Sequence, residues 1–271
     1  MKSRFFSALM FFAGVFASAS ALADYPRPWQ MDFQEAVSPV MQRLVHFNDQ
    51  LNVLIFAISI FVLLLLVYAC VKFRRKNNPI PSKTSHNTLI EIIWTGLPIL
   101  ILVVIAIPSF QILYYEDKAP HPEMTLKVVG HQWYWEYQYT EEGGFSFDSN
   151  IIKDADLKPG QMRLLEVDHH VVLPIDTDIQ VLITGADVMH SWAMPSMGIK
   201  TVAVPGRTNE TWVRILKTGT YYGQCSELCG IGHGFMPIVI DAVTKEQYKA
   251  WTKEAKKKFA ANETRNILAS N

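Results

Sequence analysis

Two long stretches of this 271-residue chain carry no charge, and they limit the fold before anything else does. Leu51 to Val71 is a run of 21 residues and Ile92 to Tyr114 a run of 23. At about 1.5 Å of rise per residue, the shorter run would make a helix of about 31 Å, the thickness of a bilayer's hydrocarbon core. Strands in a globular core are far shorter. Both runs therefore predict membrane helices, with two buried helices of a water-soluble protein as the lesser alternative. Pro98 and Pro108 fall inside the second run; membrane helices tolerate proline where neighbouring helices satisfy the freed backbone. The connecting loop holds Lys72, Arg74, Arg75, Lys76 and Lys83, with no acid before Glu91. Such a loop stays on the cytoplasmic side, so the two runs form a hairpin whose ends both face outward.

The N-terminus reads as a secretory signal. Lys2 and Arg4 precede an apolar stretch from Phe5 to Phe16, and Ala21-Leu22-Ala23 fits a small-x-small cleavage site. A third membrane helix is the alternative, disfavoured because the run is short. Residues 24–115 would then hold a proline-bearing lead-in, a short helix before Asp49 and the hairpin. From Met124 to Asp241 the pattern changes to short β-rich runs: Thr125–Val129, Arg163–Val167, Val171–Leu173, Ile179–Ile183, Thr211–Ile215 and Pro237–Ile240. Turn signals at Gly143-Gly144, Pro159-Gly160 and Pro205-Gly206 punctuate them. Many short strands at this spacing predict an antiparallel sandwich or barrel over residues 116–243. Lys245 to Ala260 predicts a closing helix with Tyr248, Trp251, Ala255 and Phe259 on one face; residues 244–271 form this helix and a tail.

Composition narrows the function. Half the chain is hydrophobic (49%), mean hydropathy is +0.11 and Lys+Arg equals Asp+Glu at 25 each. A nucleic-acid partner, which calls for a basic excess, is not expected. The balance hides an asymmetry: residues 116–243 hold 17 acids and 9 bases, whereas residues 244–271 hold 3 acids and 7 bases. An acidic outer domain invites a basic partner.

The chemistry concentrates in Tyr221 to Met236, where Cys225, Cys229, His233 and Met236 follow one another at spacings of four, four and three. Two thiols, an imidazole and a thioether in one short segment suit a soft metal. Zinc takes Cys and His but has little use for Met, whereas copper uses all three. A second imidazole, His190, stands in Asp187-Val-Met-His-Ser-Trp192. Taken singly, each residue has a plainer reading: the cysteines as a disulfide in an oxidising compartment, Met236 and His190 as core packing. Jointly they favour a metal centre, and two thiolates can bridge two copper ions so that an added electron is shared between them. An aromatic run, His131-Gln-Trp-Tyr-Trp-Glu-Tyr137, lies among acids. Cys70, in the first apolar run, reads as a plain apolar residue.

At these residues the chain resembles subunit II of the haem–copper cytochrome c oxidases, the subunit that carries the dinuclear CuA centre. The hairpin, Gly130–Trp135, Phe147–Ser149, Leu164–Asp168, Asp187–Trp192 and Cys225–Met236 carry the resemblance over nearly the whole mature chain. It implies a cupredoxin-like Greek-key β-sandwich after the membrane hairpin. It implies further that Cys225 and Cys229 bridge two coppers, with one copper each on His190 and His233. Met236 and the Glu227 carbonyl would be weak ligands, and the Glu227 carboxylate would hold Mg2+ or Mn2+ against subunit I. Trp133 would accept electrons from cytochrome c, docked on Glu141, Glu142, Asp168 and Asp187, and Glu91 would mark the entrance of the K proton pathway. Gly143-Gly144 replaces acids found in some relatives. The partners implied are subunit I with its haems, the other oxidase subunits, cytochrome c and membrane lipid. The location implied is a bacterial inner membrane, with both termini and the copper domain on the periplasmic side. A copper-free quinol-oxidase subunit and a membrane-anchored copper-delivery protein are the alternatives.

Overall fold

Ser38 begins the first helix with its own side chain. Its Oγ accepts from the Met41 amide at 3.0 Å and donates to the Met197 carbonyl at 2.6 Å, capping α1 (Pro39–Lys72) and fastening it to the domain that follows. Pro39 occupies the first helical turn, where its missing N–H costs nothing. The computed structural model describes residues 24–117, 119, 121–140 and 144–269. The signal segment, residues 1–23, lies outside these, as do Glu141 and Glu142. The short helix expected before Asp49 is not separate: α1 runs unbroken from Pro39 through the first apolar run. α2 (Thr88–Asp117) contains both Pro98 and Pro108. The two are long and apolar enough to cross a membrane, and the most apolar stretch of each is not buried against the rest of the chain.

Among the described residues ten strands follow: β1 (Met124–His131), β2 (Tyr134–Tyr139), β3 (Phe145–Ser149), β4 (Val171–Pro174), β5 (Ile179–Gly185), β6 (His190–Met194), β7 (Ile199–Ala203), β8 (Asn209–Val213), β9 (Gly219–Cys225) and β10 (Pro237–Val243). They form two five-stranded sheets, ordered β3-β2-β1-β5-β8 and β4-β10-β9-β6-β7. Alternation along β2 and β5 sends every second side chain inward. Leu126, Tyr137 and Val181 from one sheet meet Trp192, Ile238 and Ile240 from the other in a single core. This is the cupredoxin-like sandwich expected.

Three details differ from the expectation. The sheets are mixed rather than antiparallel, because β1 pairs with β5 and β4 with β10 in parallel. Arg163–Val167 is a turn rather than a strand. Leu164 takes a positive φ of 66°, and the amides of Leu165 and Glu166 both donate to the Met162 carbonyl, which curls the segment. The closing helix α3 (Lys245–Ala269) runs beyond its expected end. Its aromatic face packs on the sheet edge, with Trp251 at 5.3 Å from the Tyr139 ring and Phe259 at 4.7 Å from Phe147.

The hairpin meets the sandwich at defined points. Gly198, at φ +73°, lets α1 approach so closely that a Cβ there would lie 3.0 Å from Leu44 Cδ1 and 3.2 Å from the Met41 backbone. Trp212 Nε1 donates to the Tyr115 carbonyl at 2.8 Å, and the Arg43 guanidinium covers the Tyr115 ring at 3.6 Å. These contacts hold the sandwich at the end of the helix pair where α1 begins and α2 finishes.

Candidate metal centre

One end of the sandwich gathers three connections: the Gln132-Trp133 turn between β1 and β2, the Ala186–Met189 turn before β6, and the long loop between β9 and β10. The loop is closed at its base, where the Cys225 amide donates to the Met236 carbonyl at 3.0 Å. The Ser226 amide donates to the Ser191 carbonyl at 3.0 Å, tying the loop to β6. Register does the rest: Cys225 ends β9 opposite Trp192, and His190 begins β6 two residues before it. A short 3-10 turn, His233–Phe235, carries the second imidazole back toward the thiols.

Both cysteines are free thiols, buried, with their sulfurs 3.9 Å apart, so the disulfide reading does not hold. Cys229 Sγ lies 3.7 Å from His233 Nδ1, and the Cys225 thiol points at the Glu227 carbonyl at 3.4 Å. The ligating atoms of His190, Cys225 and Cys229 all fall within 4.8 Å of one another. Met236, at the base of the loop, is 1% exposed. His190 Nε2 stands 2.8 Å from Asp187 Oδ1. An ionised carboxylate only accepts, so Nε2 carries a proton, and in the neutral ring Nδ1 presents a lone pair. That Nδ1 is buried and has no hydrogen-bond partner. A buried lone pair beside two thiols is what a soft cation would satisfy, and the donor set fits copper.

The thiols differ. Burial opposes ionisation of Cys225, but His190 and backbone groups of Glu227 and Ser191 outweigh it and lower its pKa. Burial and the neighbouring Cys225 sulfur raise that of Cys229. Charge on one sulfur opposes charge on the other, and a cation held between them would relieve that.

Trp133 belongs to the same site. Its Nε1 donates to the Cys229 carbonyl at 3.1 Å, beside Gln132 Nε2 at 2.9 Å, while its ring is 36% exposed. Trp135 and Tyr134 lie on β2 as packing residues, Trp135 fully buried with its ring edge-on to His190 at 5.9 Å.

Two family models match the chain: "Cytochrome C oxidase subunit II, transmembrane domain" over residues 26–112 and "Cytochrome C oxidase subunit II, periplasmic domain" over residues 124–243. A "Probable cytochrome c oxidase subunit 2" of Rickettsia bellii (strain RML369-C) is 53% identical over 257 residues, which span 95% of each chain. This chain belongs to the cytochrome c oxidase subunit II family. A cytochrome c oxidase subunit 2 of Oenothera berteroana is 48% identical, over 85% of this chain and 92% of that one. The crystal structure of the periplasmic domain of subunit II of the cytochrome oxidase of Bradyrhizobium japonicum is 48% identical and covers 52% of this chain and 99% of that one, with a TM-score of 0.49. As a subunit II the chain is a membrane-anchored part of a cytochrome c oxidase, and any enzymatic activity belongs to that complex.

For this subunit II, the structure brings His190, Cys225, Glu227, Cys229, His233, Met236, Trp133 and Asp187 to one end of the sandwich. Asp168 is elsewhere: exposed, it accepts from the Asn150 amide at 2.8 Å. Glu91 sits in the first turn of α2, where its Oε1 accepts from the Asn87 amide at 3.1 Å. Sequence reasoning missed Gln132, Gly130 and Gly232. The glycines have a signal in hindsight, since each flanks an aromatic or a ligand-bearing segment. A Cβ at Gly130 would meet the His190 ring at 2.8 Å, and one at Gly232 the Trp133 ring at 2.3 Å.

Proposed function

We propose that this chain is the electron-accepting subunit of a cytochrome c oxidase, with a dinuclear copper centre held by Cys225, Cys229, His190 and His233. Met236 and the Glu227 carbonyl complete the set as weak ligands, and the Glu227 carboxylate offers a hard oxygen to Mg2+ or Mn2+ at the boundary with subunit I. Bound there, two thiolate-bridged coppers would supply a one-electron site in which the charge is shared, so that little geometry changes on reduction. The chain's own residues do the rest. The sandwich holds the sulfurs 3.9 Å apart, burial excludes water from them, and Trp133 links the exposed surface to the Cys229 backbone. From the centre the electron would pass to haem in subunit I, where oxygen is reduced and protons are pumped.

The observation that carries this reading is the Trp133 indole, half-exposed outward and hydrogen-bonded inward to Cys229. Leu228, Ile231 and Phe235 stand exposed on the same loop, a surface suited to a partner chain. The docking acids Glu141, Glu142 and Asp168 belong to an acidic domain that would steer a basic cytochrome c, and Asp187 adds its charge at the rim of the site. Glu91 is assigned to the K-pathway entrance, in addition to its hydrogen bond within α2. The cationic loop between the helices supports a periplasmic copper domain and an inner-membrane location.

The test is flash-induced reduction of the assembled oxidase over a range of ionic strengths. Asp168→Asn weakens cytochrome c binding and flattens its salt dependence, since charges act over about 8 Å at ~0.15 M salt. Trp133→Ala leaves binding and salt response near normal and slows electron uptake in the docked complex. Wild-type uptake by Trp133→Ala would return Trp133 to a packing role.

A further inference from the structure

Asp187 stands at the rim of the centre, and as a docking acid it should offer a free carboxylate to a partner. It does not. Oδ1 accepts from His190 Nε2 at 2.8 Å and from the Val188 amide at 2.6 Å; Oδ2 accepts from the Gln132 amide at 2.7 Å. Both oxygens are turned inward, and the side chain is 34% exposed. The imidazole it grips is fully buried, and the ring nitrogen left over is the unpartnered Nδ1 facing the thiols. The amide it grips belongs to the residue before Trp133, and the Gln132 side chain returns to the Cys229 carbonyl.

We propose that Asp187 is a positioning residue that acts in two directions: it fixes the tautomer and orientation of His190, and it pins the Gln132-Trp133 turn against the cysteine loop. This rests on the dicopper reading for its first half only; the second half stands on hydrogen bonds within the chain. The physical reason is the one that governs metal-bound histidines generally. An imidazole that donates its far N–H to a carboxylate is held in one orientation and is a stronger donor at the near nitrogen. The same carboxylate, by holding the Gln132 amide, makes the surface tryptophan and the buried ligand parts of one rigid unit. Relocation of Trp133 and relocation of His190 are therefore coupled through a single side chain.

The experiment uses the full chain in detergent, with Asp187→Asn, Asp187→Glu and, as a charge-removal control away from the site, Glu210→Gln. In the metal-free protein, amide exchange at Gln132 accelerates at least about tenfold in Asp187→Asn, because a charge-assisted hydrogen bond is lost, and stays at the wild-type rate in Glu210→Gln. In the copper-loaded protein, Asp187→Asn raises the reduction potential, since a negative charge that favours the oxidised metal has gone, and lowers copper affinity roughly tenfold or more. Asp187→Glu keeps the charge and stays closer to wild type in potential; it also carries the test if Asp187→Asn does not fold. Unchanged exchange at Gln132 together with an unchanged potential overturns the proposal, and a changed exchange with an unchanged potential overturns its His190 half. A wild-type chain that binds no copper pair defeats the dicopper reading instead, and leaves the exchange measurement to decide the rest.

Discussion

Gly232 lies directly under the indole of Trp133. A methyl group there would meet ring carbons Cγ and Cδ2 at 2.3 Å, a distance no side chain can hold, so either the ring or the loop must move. Gly232→Ala is expected to destabilise the domain by about 1–3 kcal/mol, the range for an overpacked contact. It should also slow electron uptake while leaving the copper content intact, because the thiols and imidazoles are untouched. A thermal melt and a copper assay on the same preparation check both halves; loss of copper with a normal melt would contradict them. The contrast with the ligands is instructive. Cys225, Cys229, His233 and Met236 were legible because they lie within twelve residues of one another, and spacing along the chain is what a sequence displays. Gly232 and Asp187 act across the fold, on residues about 100 and 55 positions away in the case of Trp133 and Gln132, and no local pattern announces that. The Asp187-to-His190 spacing of three was visible, but an acid three residues before a histidine has many ordinary meanings.

The elements show the same division. Both membrane helices and α3 follow from apolar periodicity and the absence of charge, and the structure extends each beyond its expected ends. Strands with β-rich runs of their own, β1, β4, β5, β8 and β10, were readable; β2, β3, β6, β7 and β9 were not, β6 showing no alternation because it is buried along its whole length and β9 being interrupted by Gly223. The parallel pairing of β4 with β10 is a tertiary choice, and one cluster reinforces it. His170 Nδ1 lies 2.9 Å from Asp241 Oδ2 on β10, and Nε2 lies 2.6 Å from Glu166 Oε1 in the preceding turn. Burial alone would lower the His170 pKa, but the hydrogen bonds and charges of Asp241 and Glu166 outweigh it and raise it above the usual histidine value. A raised folded-state pKa contributes stability that is complete below about pH 6.5 and is lost as pH rises through the folded value. Denaturant unfolding of the full chain between pH 6 and pH 9 should therefore show a declining stability, and His170→Gln should flatten that decline. Identical pH slopes for the two proteins would count against the clamp.

At the scale of the molecule, charge and apolarity are sorted by region. The hairpin is nearly uncharged within its spans, its connecting loop is basic, and the outer domain holds 17 acids against 9 bases. Family membership accounts for the membrane anchor and the place in a cytochrome c oxidase; the described geometry adds how the sandwich is held. Ser38, Gly198 and Trp212 fasten the sandwich to α1 and α2. The dicopper centre is the claim on which the rest depends. The most direct measurement is metal content and electron paramagnetic resonance on the purified full chain, loaded with copper after removal of other metals. Two tightly held coppers per chain with a mixed-valence signal, abolished in Cys225→Ser and in Cys229→Ser and retained with a shifted potential in Met236→Leu, is the result predicted. A chain that takes up zinc in preference, or one exchangeable copper, would contradict it.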